Sequence, residues 1–356
     1  MMKIAIVGAG ILGRLLAWRL SREKISVTLF EKDTPEIKNS CSYVCGGMLA
    51  PYFERDMATP FVTRLGEASL ELWPRYVESF SEKVFFQRSG TLVVSHRQDE
   101  TEWQRLRNKL EDTEISEKIS VIEQKQIRSL EPELISFSKA LYASEEGQID
   151  VHDLLRVLYS ELQKNGYVDL KFSSPVDEVR PFSINFGSQK FHFDLVIDTR
   201  GFHANKELLS LRGVRGELIV VQANEVSLHR PIRLVHPRYP IYVIPRPDHV
   251  FLIGATSLES QDQKPVTVRS TLELLSAAFT LHSGFAEAPV LELQSAVRPA
   301  FPDNEPKIFW EEGLLRINGL YRHGALLSPQ IVESVRDYLL EKTFKIDGNP
   351  LFFKMN

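Results

Sequence analysis

The chain has 356 residues and is 43% hydrophobic, 25% charged and 10% aromatic, an ordinary globular composition that excludes disorder, collagen-like repeats and low-complexity tails. Lys and Arg number 43 against 47 Asp and Glu, and the net charge of -4 gives no basic excess for nucleic acid or an anionic membrane. No apolar run approaches the roughly 20 residues of a membrane span, and two cysteines, Cys41 and Cys45, exclude a disulfide framework.

The length predicts about two domains. The apolar N-terminus lacks a signal peptide's longer apolar core and cleavage site, so a cytoplasmic location is expected. Lys3–Val7 is the continuous apolar run of a buried parallel strand. Gly8-Ala9-Gly10-Ile11-Leu12-Gly13 follows with GxGxxG spacing, then a helical pattern at Leu15, Leu16, Ala17 and Leu20. A second strand, Ser26–Phe30, ends at Glu31. In such a βαβ unit Gly8 permits the tight turn, Gly10 lets the backbone approach a pyrophosphate, and Gly13 lets the helix pack on the strand. The helix start offers N–H groups to phosphates, and the Glu31 carboxylate can accept ribose hydroxyls. The motif alone does not choose between NAD and FAD.

An NAD dehydrogenase would continue with further βα units. Here an irregular stretch with Gly46-Gly47-Met48 follows, then a helix over about Pro60–Phe80 containing Pro74. Strands are predicted at Val84–Gln87 and Thr91–Ser95, and helices around Glu102–Leu110, Ile122–Leu130 and Val151–Lys164. Further strands are predicted at Asp169–Phe172, Val176–Val179, Phe191–Ile197, Leu218–Gln222, Pro240–Ile244, Val250–Ile253 and Leu314–Ile317, with a helix at Leu272–Leu281. Ser328-Pro329 reads as the N-cap and first residue of a last helix reaching about Lys342. The fold class is therefore α/β with an α+β second domain: a Rossmann-type nucleotide domain (1–83, 145–211, 304–356) interleaved with an antiparallel-sheet substrate domain (84–144, 212–303).

GAGILG with Glu31, CGGMLAP at 45–51, RGVRGE at 212–217, YVIPR at 242–246, IGAT at 253–256, VRPAFPD at 297–303 and GLYRHGALLSP at 319–329 occur in this order. Together they resemble the D-amino-acid-oxidase superfamily of flavoproteins, and within it the glycine oxidases of thiamine biosynthesis. The resemblance implies FAD, held by Gly8, Gly10, Ile11, Leu12, Gly13, Glu31, Lys32, Gly46, Gly47, Met48, Val176, Gly201, Arg322, His323, Gly324, Ala325, Leu326 and Leu327. It implies oxidation of glycine, sarcosine or a similar small amine, with O2 reduced to H2O2. Glycine imine would feed thiazole formation, with a hand-off to a thiazole synthase as the expected partnership. Arg298 stands where the family places its substrate arginine, and a guanidinium fork pairs bidentately with a carboxylate. Tyr242 and Arg322 are the other expected substrate contacts; His323 is not expected to be a base.

No C-terminal cysteine exists to tether a flavin, so FAD is expected to be non-covalent. Cys41 and Cys45 make a poor metal site, and no metal is expected. Arg200, Ser257 and Pro240 depart from the family pattern. The alternative reading is an FAD-dependent D-amino-acid dehydrogenase passing electrons to a quinone or other acceptor. The sequence leaves a homo-oligomer open.

Overall fold

A computed structural model describes residues 2–238, 240–341 and 351–355. The expected helix end at Lys342, and residues 1, 239, 342–350 and 356 of the expected ranges, lie outside the described residues. Two large sheets dominate. The first has seven strands in the order Phe352–Lys354, Lys307–Glu311, Leu314–Asn318, Leu195–Asp198, Lys3–Val7, Ser26–Phe30 and Val168–Lys171. Its neighbours are parallel except for the antiparallel pair Lys307–Glu311 and Leu314–Asn318. Lys3–Val7 is central, and helices Ile11–Arg22, Val151–Gln163 and Gly324–Glu341 pack beside it through Leu15, Leu16, Leu154, Leu158, Ile331 and Val335, all buried in one core. Parallel strands covered by helices need the continuous apolar runs seen at both N-terminal strands.

The second sheet has eight strands in the order Val290–Ala300, Arg212–Gln222, Val250–Gly254, Ile241–Pro245, Ile232–Val235, Thr91–Ser95, Lys139–Ala143 and Ser120–Glu123. All pairs are antiparallel except Ile232–Val235 with Thr91–Ser95. The period of two along each strand divides its residues. Ile219, Val221, Ile241, Val243, Phe251 and Ile253 enter a core with the helix Val268–Leu281, whereas Leu218, Val220, Tyr242, Ile244 and Leu252 form a separate cluster with Met48 and Val44. This second face looks toward the first sheet. A small sheet of Met48–Leu49, Gly147–Ile149 and Phe86–Gln87 joins the two.

Several expectations need correction. Ile122–Leu130 is a strand, Ser120–Glu123, followed by a short helix, Gln124–Leu130. Phe191–Ile197 is two strands in different sheets, Gln189–His192 and Leu195–Asp198, separated where Asp194 accepts the Lys3 backbone N–H at 2.7 Å. The edge strand Val290–Ala300 was not expected at all. Among the described residues, no helix is long and apolar enough to cross a membrane.

Candidate active site between the two sheets

A cavity of about 880 Å³ lies between the sheets, lined at one end by Gly8, Gly10 and Glu31 and at the other by Tyr242, Arg298 and Arg322. The glycine end is mainly backbone. Gly8 has φ +106°, a conformation that favours glycine, and a Cβ there would meet the Thr199 carbonyl oxygen at 2.7 Å. The Thr199 hydroxyl donates to the Gly8 carbonyl at 2.8 Å, tying strand Leu195–Asp198 to the turn. Ser42 Oγ accepts the Ile11 N–H at 2.9 Å. Glu31 accepts the N–H groups of Ala9 at 2.6 Å and Asp33 at 3.1 Å, which fixes its carboxylate at the wall with lone pairs to spare. Lys32 also lines the cavity and sits 2.9 Å from His203 Nε2.

The opposite end is made of charge. Arg298 lies near the end of the edge strand, on the same face as Ala296 and Gln294, and all three line the cavity. Its Nη1 donates to the Thr256 carbonyl at 3.0 Å. Among the described residues no carboxylate pairs with Arg298, whose pKa is lowered by burial and then by the neighbouring Arg322. The guanidinium needs Gly216 on the next strand: a Cβ there would stand 2.1 Å from Arg298 Nη2.

Tyr242 and Arg322 converge instead on Glu54, a residue the sequence did not single out. The Tyr242 hydroxyl donates to Glu54 Oε1 at 2.9 Å, and Arg322 Nε lies 3.3 Å from Oε2. Burial alone would raise the Glu54 carboxyl, but Arg322, His323 and Arg233 and the tyrosine bond outweigh it and bring its pKa to about 2. Burial depresses His323 to about 4 despite Glu54, so its imidazole is neutral near pH 7. Glu54 sits in the 3-10 turn Phe53–Asp56, which is clamped at both ends. Glu146 accepts the N–H groups of Tyr52 at 2.8 Å and Phe53 at 2.9 Å. Arg233 binds the Phe53 carbonyl at 2.8 Å and Asp56 at 2.6 Å.

A family model described as FAD dependent oxidoreductase, the DAO family, matches residues 3–335. The chain belongs to this family of FAD-dependent oxidoreductases. A Rhizobium etli protein named as a thiamine biosynthesis oxidoreductase, ThiO, is 38% identical over 95% of this chain and 97% of its own length. The glycine oxidase of Geobacillus kaustophilus is 25% identical over 98% and 95% of the two chains. A crystal structure of that enzyme superposes with a TM-score of 0.86 over 100% of both chains at 23% identity, which shows the shared fold. A bifunctional ThiO/ThiG protein of Trichormus variabilis is 26% identical over 95% of this chain and 53% of its own.

The cofactor of this FAD-dependent oxidoreductase is FAD, and the cavity fits it: a side-chain-free glycine turn at a helix start, an acid at the end of the second strand, and room for an extended ligand. Of the expected contacts, Gly8, Gly10, Ile11, Leu12, Glu31, Lys32, Gly46, Gly47, Met48, Val176, Gly201, Arg322, Gly324 and Ala325 line the cavity. Gly13, His323, Leu326 and Leu327 do not. A Cβ on Gly13 would meet the Gly8 carbonyl at 1.9 Å, so it serves helix packing. His323, Leu326 and Leu327 are at most 5% exposed, and the two leucines belong to the core.

The last helix begins at Gly324, not at Ser328-Pro329. The Ser328 hydroxyl donates back to the Gly324 carbonyl at 2.6 Å within the helix. Pro329 lacks the N–H that would bond to the Ala325 carbonyl, and Trp73 Nε1 donates to that oxygen instead at 3.2 Å. The first helical bond runs from the Leu327 N–H to the His323 carbonyl, so the helix start faces the cavity through Gly324 and Ala325.

The three departures from the pattern also find places. Arg200 lines the cavity, with its guanidinium bound to Asp198 at 2.8 Å and Glu207 at 2.8 Å. Ser257 is exposed and lies 3.2 Å from the Tyr321 hydroxyl. Pro240 is exposed. Cys41 and Cys45 are free thiols on the cavity wall, and burial pushes Cys41 up to about 11.

Proposed function

We propose that this enzyme oxidises glycine or a similarly small amine, such as sarcosine or a small D-amino acid, to the imine, and that the imine supplies the thiazole half of thiamine. Held by the glycine turn and Glu31, FAD would supply the hydride acceptor for the substrate Cα–H and the route of two electrons to O2, giving H2O2. In this proposal the first sheet would hold the cofactor and the second would roof the substrate.

The observation that carries the reading is Arg298, a guanidinium facing the cavity with no carboxylate partner among the described residues. Arg322 pairs with Glu54 and Arg233 with Asp56, so the neighbouring Arg298 leaves the cluster with one net positive charge. One amino-acid monocarboxylate with its amine neutral carries a single negative charge and balances it. Arg298 would grip that carboxylate, and apolar Leu218, Ile244 and Leu252 on the same sheet face would exclude water. No side chain in the cluster is placed as a general base: His323 is buried and neutral, and Glu54 is bound to two donors. The neutral amine of the substrate suffices for hydride departure. The DAO-family relatives named for thiamine biosynthesis support the metabolic role, and the ThiO/ThiG fusion supports a hand-off to a thiazole-forming partner.

The test is anaerobic addition of glycine to the flavin-loaded protein. Bleaching of the visible flavin bands, followed by H2O2 release on admitting O2, is expected. Bands that persist with glycine, sarcosine and small D-amino acids would overturn the proposal. Bleaching without H2O2, with reoxidation by a quinone instead, would make it a dehydrogenase. Acid precipitation should free all the flavin, as expected of non-covalent FAD.

A further inference from the structure

We propose that Glu54 determines specificity: it restricts the substrate to a single carboxylate by occupying the Tyr242 phenol and the Arg322 guanidinium that a second carboxylate would use. This inference rests on the amine oxidation proposed above. Both donors line the cavity and both point at Glu54, at 2.9 Å from the tyrosine and 3.3 Å from the arginine. Glu54 is in effect a carboxylate built into the cavity wall, while Arg298 faces the same space with no carboxylate partner among the described residues.

The Glu54 carboxylate cannot swing aside cheaply. Its turn is held at the start by Glu146 through two backbone N–H groups and at the end by Arg233 through Asp56. The groups around it come from every neighbouring element: Arg322 and His323 ahead of the last helix, Tyr242 and Arg233 on adjacent strands, and Asp56 on its own turn. A second substrate carboxylate arriving here would meet a like charge whose donors are already taken. A substrate with one carboxylate leaves the cluster balanced.

Glu54→Gln keeps the shape and an acceptor for Tyr242 but leaves the Arg322 charge uncompensated. The variant should therefore recruit a second carboxylate. Two unreactive probes read this without turnover: acetate and malonate, titrated against the visible spectrum of the FAD-loaded protein. We expect E54Q to bind malonate about tenfold more tightly than the wild type, with acetate changed less than about threefold. Reduction by iminodiacetate, which is glycine with a second carboxymethyl group on nitrogen, should gain on reduction by glycine in the same variant. Glu54→Asp retains the charge and should keep the wild-type preference, and Glu54→Ala should behave as E54Q does.

An E54Q or E54A protein that holds FAD but keeps the wild-type malonate-to-acetate ratio overturns the role of Glu54. If glycine still bleaches the wild type, the proposed activity stands regardless. Loss of FAD by both variants would make Glu54 a structural residue and would equally overturn the inference. A wild type that no amine reduces removes the activity and this inference together.

Discussion

At the glycine-turn end the cavity wall is backbone, shaped by Gly8 against Thr199 and by the helix start at Ile11. At the Arg298 end it is side-chain charge: Arg298, Arg322 and Glu54 line it, with the Arg233–Asp56 pair beside Glu54 behind them. The first kind of wall recognises a phosphate-bearing ligand through N–H groups that any sequence supplies once the turn forms. The second recognises its ligand through a charge balance that one substitution resets. On the proposed function, cofactor choice rests on geometry and substrate choice on electrostatics.

The largest way to break the contrast is Arg298→Ala. Losing the unpaired guanidinium should raise KM for glycine on the order of 100-fold. The flavin spectrum should be unchanged, since the damage is confined to one end. Glu31→Ala is the converse. Apoprotein reconstitution should show FAD binding weakened by about tenfold or more, because a buried-edge acceptor of two N–H bonds is lost. Glycine KM in the fully loaded variant should stay within about twofold of the wild type. Gly216→Ala sharpens the picture by moving Arg298 without removing it. The added Cβ displaces the guanidinium from its place 2.1 Å away, and KM should rise about tenfold, with FAD retained.

The smallest effect is on stability. Burial pushes Glu146 up to about 8 from an ordinary 4.5. Between those values the folded protein holds a proton that the unfolded chain has released, so stability falls as pH rises. Glu146→Gln cannot lose that proton. The melting temperature of E146Q relative to wild type should therefore climb by about 2–5 °C from pH 5 to 8. A flat difference would show that Glu146 is ionised in the fold. His323, depressed to about 4 from 6.5, runs the other way, adding stability as pH rises through that lower window, and cancels in the difference.

The sequence was most legible where the signal is local. Lys3–Val7 and Ser26–Phe30 were expected at the bounds they have, because continuous apolar runs flank a glycine turn. The carrier of Arg298 was not seen as a strand. Val290, Leu291 and Leu293 are exposed, so the apolar pattern there marks no buried face, and Pro299 reads as a breaker although an edge strand tolerates it. Ser328-Pro329 imitated a helix start because both residue types suit caps, and the Trp73 bond that accommodates Pro329 is 252 residues distant in sequence. Glu54 had no motif at all. Its partners Arg233, Tyr242 and Arg322 lie some 180 residues or more away, and only the topology brings them together.

The chain passes between the two large sheets four times, leaving the first after Ser26–Phe30 and returning to it for good at Lys307–Glu311. The central strand of the first sheet has one neighbour, Leu195–Asp198, that is itself completed by Leu314–Asn318. During synthesis, then, the glycine turn is made long before Leu314–Asn318 and the Arg322, Gly324 and Ala325 side of the cavity. A chain stopped before residue 314 would carry the glycine turn beside a cavity that lacks the wall formed by Ile317, Arg322, Gly324 and Ala325.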